Sequence, residues 1–183
     1  MRRQRRTNRK GDVVSYYSER SNLPYYSYVW EILENLGEQG TILDVGGFDS
    51  PVATWGDFLY REVVDIRQVR EEDRHENVKY THGDFLDLNL GQFSCVTCLQ
   101  VMEHLKDDQV KPFAERLLEL TKLNGVLIVS VPHMWSATRC EEHYQDPINL
   151  TKFLQWFPIE PVSIRVTSLN RMVAVFGDYR YAG

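Results

Sequence analysis

The sequence predicts an α/β domain built on a mostly parallel sheet, and three observations carry that prediction. Short apolar runs with strand character recur at 41–45, 62–66, 78–82, 93–99 and 126–131. Between and before them lie segments with the i, i+3, i+4, i+7 spacing of a helix face, seen in Val29, Ile32, Leu33 and Leu36 and again in Val110, Phe113, Ala114, Leu117 and Leu120. The run 126–131 is apolar almost without alternation, as expected for a strand covered on both faces of a parallel sheet.

A chain of 183 residues holds one sizeable core rather than two. We expect residues 1–12 to form a basic, disordered tail and residues 13–183 a single domain. Six of the 21 basic residues (Arg2, Arg3, Arg5, Arg6, Arg9, Lys10) lie in the first ten positions, leaving 15 against 26 acidic residues in the remainder of the chain. An acidic body argues against a long nucleic-acid groove, although the tail itself could touch RNA or an anionic surface through nonspecific electrostatics. No apolar run approaches the length of a membrane span and no secretory leader pattern is present, so a cytoplasmic protein is expected. Cys95, Cys98 and Cys140 are an odd set that suggests no disulfide framework. Cys95 and Cys98 form a CxxC, but on a strand positions three apart face opposite ways, so buried thiols are expected rather than a redox pair.

In chain order, Tyr16 and Tyr17 precede a helix expected over about 25–36 and either fold over a pocket or cover apolar surface. The first strand breaks at Asp44-Val45-Gly46-Gly47, where paired glycines allow positive φ and close approach to a ligand. Residues 51–59 can form a short helix. The second strand ends in Asp65-Ile66, 21 positions after Asp44, near the spacing at which a strand-end carboxylate meets ribose hydroxyls in dinucleotide-type folds. The charged run 67–76 reads as a poor helix or surface loop. The third strand leads into Gly83-Asp84-Phe85, and the fourth into Gln100-Val101-Met102-Glu103-His104-Leu105. A helix to about Thr121 follows, with Asp107 or Asp108 as N-cap, Pro112 in its first turn and Asn124-Gly125 closing it. A final helix begins near Asn149 or at Asp146-Pro147, and strands over 162–169 and 171–176 form a hairpin around Asn170. The order is five β/α units and a closing β-hairpin.

These motifs, in this order and spacing, resemble the class I S-adenosylmethionine-dependent methyltransferases over about residue 16 to the C-terminus. The resemblance implies a single-domain, Rossmann-like, seven-stranded sheet, mostly parallel, whose last strand is antiparallel within the C-terminal hairpin. It implies S-adenosyl-L-methionine as cofactor. Asp44, Gly46 and Gly47 match the turn at the methionine portion; Asp65, with Ile66 beside it, matches the ribose-binding acid; Asp84 and Phe85 match the adenine pair; Gln100 and Val101 match the segment that closes on the sulfonium. One departure stands in the turn, where the family's second and third glycines are Phe48 and Ser50.

If the methyl acceptor is a hydroxyl or an ammonium, a base is needed, and His133, His104 and His143 follow strands four and five, where ligands bind in open α/β sheets. Trp135, Arg139, His143, Tyr144, Gln145 and Asp146 are expected to shape a pocket for a small-molecule or glycan acceptor. The His-Tyr-Gln-Asp-Pro run resembles small bacterial methyltransferases of surface-glycan and natural-product pathways. Small-RNA 2′-O-methyltransferases hold a metal with Glu-x-x-Glu-His and a later histidine, but here the first position is Gln100, and we assign no metal ligand. An inactive methyltransferase-like binding protein is the remaining alternative. Hydride transfer is disfavoured by the terminal hairpin and by the acid after strand three.

Overall fold

In the computed structural model the described residues are 23–36, 40–48, 50–135 and 141–177. The expected tail, Tyr16, Tyr17, Arg139 and Cys140 lie outside them.

The first described element is helix α1 (Pro24–Asn35), which opens with proline at N1, where the missing N–H costs nothing. Its buried face is Tyr25, Tyr26, Val29, Ile32 and Leu33. Strand β1 (Gly40–Val45) follows, then β2 (Phe58–Asp65), β3 (Lys79–His82), β4 (Phe93–Leu99), helix α2 (Asp107–Leu120), β5 (Thr121–Pro132), helix α3 (Leu150–Leu154), β6 (Ser163–Thr167) and β7 (Arg171–Gly177). The seven strands make one sheet in the order β3-β2-β1-β4-β5-β7-β6. β1, β2, β3, β4 and β5 pair in parallel, β7 runs antiparallel to β5, and β6 antiparallel to β7. The strand order reverses at β1, whose neighbours are β2 on one side and β4 on the other. Crossovers leave these strands in opposite directions and open a crevice at their carboxyl ends.

The sheet separates two apolar layers. Along β5, Val126 and Ile128 face the layer containing α1, while Leu127 and Val129 face the layer containing α2 and α3. A parallel strand buried on both sides needs no polar alternation, which accounts for the unbroken apolar run. Cys95 packs in the α1 layer and Cys98 in the α2 layer; both are free and fully buried, as the strand period requires.

Several expected elements differ. The stretch 51–59 forms only a 3₁₀ turn (Val52–Thr54), and β2 begins at Phe58, earlier than expected. Arg61 explains the short turn: its guanidinium reaches back to the carbonyls of Ala53, Trp55 and Gly56 at 2.7–3.0 Å, satisfying acceptors that a longer helix would have bonded internally. The charged run carries a 3₁₀ turn (Glu71–Asp73) held by Arg70 against Glu72 and Asp73. Among the described residues, the β4–β5 crossover is the one parallel connection that contains an α-helix, so the expected series of five β/α units is mostly strand–loop–strand.

Helix α2 takes Lys106 as N-cap, not Asp107 or Asp108. The Lys106 N–H donates to the Gln109 side chain, and Asp107 accepts instead from Gln145 at 2.8 Å. Pro112 lies in the second turn, beyond its expected place, on the exposed face, where the carbonyl four residues earlier can turn to water. Asn124-Gly125 lies within β5 rather than ending the helix, because α2 passes into the strand at Thr121, which pairs with Phe93. Asn149 caps α3 by accepting from the Lys152 N–H at 2.8 Å. Leu169 and Asn170 both have positive φ (66° and 54°), which suits a tight hairpin between β6 and β7.

Candidate functional site

The crevice beside β1 is built around Gly46 and Asp44. Gly46 has φ +79° and donates its N–H to the Val64 carbonyl at 2.7 Å, bending the chain over the end of β2. A Cβ at Gly46 would overlap Val101, and one at Gly47 would overlap the Asp44 carboxylate. Both positions therefore need glycine, one for conformation and contact, the other for close approach. Asp44 is 2% exposed. Its Oδ1 accepts from the Thr97 hydroxyl at 2.7 Å, while Oδ2 has no partner among the described residues. Burial, opposed by the Thr97 bond and assisted by the nearby Asp65 charge, pushes its pKa up to about 7.

The other expected cofactor residues surround this turn at the same sheet edge. Asp65 ends β2 and accepts from the N–H groups of Phe48 and Arg67 and from the Arg67 side chain. The Arg67 guanidinium lies over the Phe48 ring, 4.1 Å from its centroid. Phe48 is thus packed by a neighbouring cation. Ile66 is 68% exposed, an apolar surface open to a flat ligand. Asp84 is exposed and accepts from the Leu86 N–H at 3.0 Å. Phe85 is buried against Phe113 with ring centroids 4.6 Å apart, so its side chain belongs to the core and only its backbone can shape a slot.

Gln100 has φ +58°; its N–H donates to the Ser130 carbonyl at 2.8 Å and its side-chain amide to the Ser130 hydroxyl at 3.1 Å. Val101 covers Gly46, and the 3₁₀ turn Met102–His104 then carries the chain to a second group of polar side chains.

Glu103, His104 and His143 offer ligand atoms that all lie within 4.8 Å of one another. His104 and His143 meet edge to face with centroids 4.6 Å apart, and a ring nitrogen of His104 lies 3.0 Å from the Glu142 carbonyl. His143 Nδ1 lies 2.7 Å from Asp146 Oδ2, with both side chains almost fully buried. That contact orients the ring and occupies Nδ1. Glu103 is 1% exposed, its Oε2 has no partner among the described residues, and burial pushes its pKa up to about 8. Trp135 stacks on His143 on one side, at 6.2 Å between centroids, and lies 3.9 Å from the Arg171 guanidinium carbon. Gln145 is turned away, to the Leu105 carbonyl and Asp107, and Tyr144 is exposed. His133 follows β5; its N–H donates to the Asn170 carbonyl and its Nδ1 has no partner among the described residues. His104 and His143 are therefore one cluster, and no described contact joins His133 to it.

Three contributors escaped the reading of the sequence: Thr97, Arg67 and Arg171. Thr97 is a polar residue in an apolar strand beside Asp44 in the sheet register, which was the available signal. Nothing local marks the others.

Solved structures match this architecture over most of the chain. The fold is that of the class I S-adenosylmethionine-dependent methyltransferases. The N-methyltransferase NodS of Bradyrhizobium japonicum WM9, solved with S-adenosylhomocysteine, is 14% identical with a TM-score of 0.67, covering 88% of this chain and 87% of that one. The PH0226 protein of Pyrococcus horikoshii OT3 is 14% identical with a TM-score of 0.70, over 91% and 93% of the two chains. The small RNA methyltransferase HEN1 is 18% identical with a TM-score of 0.67, over 84% of this chain and 25% of that one. No family model matches the sequence, and no curated protein sequence does. In the methyltransferase fold the Asp44–Gly47 turn lies at the β1/β4 crevice, and among the described residues no helix is long and apolar enough to cross a membrane.

Proposed function

We propose that the protein is an S-adenosylmethionine-dependent methyltransferase acting on an oxygen or nitrogen of a small molecule or glycan precursor. The observation that carries this reading is the buried, half-partnered carboxylate of Asp44 beside Gly47, whose missing side chain leaves its Oδ2 approachable. A buried carboxylate oxygen without a donor is costly, and an ammonium group of the cofactor would supply the missing partner. Asp65, Ile66 and Asp84 continue the same edge in the order needed for ribose and adenine. When bound, the cofactor supplies a methyl group already activated on a sulfonium.

The chain's own work is then to bind, align and exclude water. Gln100 and Val101 separate the cofactor crevice from the Trp135–His143 wall, which would seat the acceptor. His143, oriented by Asp146, would take the acceptor's proton at Nε2, with His133 and His104 as further proton carriers on the same side. NodS is named as an N-methyltransferase, which supports the reaction class but leaves the acceptor open.

Calorimetry with S-adenosylhomocysteine followed by a donor-consumption assay on fractionated cell extract tests the proposal. Binding plus a methylated product supports it; binding without product from any fraction favours a non-catalytic binding protein, and no binding removes the cofactor assignment.

The cluster of Glu103, His104 and His143 favours a second reading, metal-assisted methylation of an RNA 2′-hydroxyl, in line with the match to HEN1. Against it stand the acidic body and the Gln100 amide, turned to Ser130 rather than to the cluster. Methyl transfer to RNA that requires manganese or magnesium and stops with chelator would establish it.

A further inference from the structure

The carboxylate of Asp65 is saturated by the chain itself. Oδ1 accepts from Arg67 N at 2.7 Å and Arg67 Nε at 3.0 Å; Oδ2 accepts from Arg67 Nη2 at 3.1 Å and Phe48 N at 3.2 Å. A carboxylate offers about four lone-pair sites, so these four donors leave none for a ribose. Two of the four are backbone N–H groups that belong to the turns and stay. The other two belong to a side chain that is 52% exposed and rests on the Phe48 ring.

We propose that Arg67 is an affinity-determining residue of the cofactor site, an internal competitor that holds Asp65 until the two ribose hydroxyls of an adenosyl ligand displace it. The proposal rests on the reading that Asp65 receives the ribose. The exchange conserves hydrogen bonds: Nε and Nη2 leave, two vicinal hydroxyls replace them, and the guanidinium moves into water through its exposed side. Phe48, standing where the family has a glycine, then has a role, since its ring holds the guanidinium in the competing position by cation–π attraction. The same ring explains how a bulky residue is accommodated in the turn without obstructing it, because it lies against Arg67.

Calorimetry with S-adenosylhomocysteine on the wild type, Arg67→Ala and Arg67→Lys tests this. Removing the fork should tighten binding by about tenfold in Arg67→Ala, the scale of a half-exposed bidentate pair with a ring contact, and by less in Arg67→Lys. Because the pair is half-exposed, wild-type affinity should rise as salt screens it, while that of Arg67→Ala should not. Equal or weaker binding by Arg67→Ala, with its melting transition intact, overturns the proposal and makes Arg67 either neutral or a direct contact. Should Arg67→Ala lose its native circular dichroism, Arg67→Lys decides, since it keeps the stem and the charge but not the fork; binding no tighter than wild type overturns the proposal. If the wild type and both variants all fail to bind, the ribose role of Asp65 falls together with this inference.

Discussion

The hydroxyl of Thr97 donates to Oδ1 of Asp44 at 2.7 Å and so turns the other carboxylate oxygen toward Gly47, where no described residue partners it. The strand pairing of β1 with β4 places these two residues opposite each other, so the orientation of the acid is a property of the sheet.

Asp44 links ligand binding and stability to pH in opposite senses. Its folded pKa of about 7 lies above its unfolded value of 3.8. Between those values the folded state holds a proton the unfolded state has lost, so stability falls as pH rises from about 4 to 7 and the penalty is complete above 7. Asp44→Asn should therefore unfold at higher denaturant concentration than wild type at pH 8, with the gap closing toward pH 4. Affinity for S-adenosylhomocysteine should rise in the wild type by up to about tenfold per unit between pH 5.5 and 7, as the carboxylate ionises to meet an ammonium. A flat affinity profile would separate Asp44 from the ligand.

Gly46 faces both constraints a side chain can meet. Gly46→Ala should cost roughly 2–3 kcal/mol in denaturant unfolding, from positive φ and overlap with Val101. Adding Val101→Ala should recover the overlap but not the backbone part. Full recovery would mean that φ at this turn relaxes freely.

Phe48→Gly should change S-adenosylhomocysteine affinity only modestly, within about tenfold, because a more flexible turn at about 1 kcal/mol of backbone entropy offsets the loosened hold on Arg67. A gain of a hundredfold or more would show that the natural ring obstructs the site, and the enzyme reading would give way to the non-catalytic one.

His143→Asn and Asp146→Asn should leave cofactor affinity unchanged and lower the turnover number by about 10²–10⁴-fold for a general base and less for its orienting acid. Loss of cofactor affinity in either variant would instead place the pair in the binding site.

The fold was largely legible because strands leave a period in the sequence. Phe93–Leu99 has the bounds expected of it, and Asn149 caps its helix as its side chain suggests. The missing helices were harder to see. Residues 51–59 have helix-compatible composition, and what shortens them is Arg61, reaching back from the next strand. The candidate site divides in the same way. Asp44, Asp65 and the glycines stand at strand ends that the period locates. The saturation of Asp65 by a residue two positions on depends on a loop path, and the raised pKa of Glu103 depends on burial in the tertiary fold, with Arg171 and Asp146, remote in sequence, adding their charges.

Cys95 and Cys98 lie back to back on one strand, each sealed in a different layer of the core, with burial raising both thiol pKa values. Neither can be alkylated until its own layer parts from the sheet. The strand therefore carries two built-in stopwatches: the order in which the two sulfurs acquire label, read peptide by peptide, reports whether the α1 side or the α2 side of the molecule lets go first.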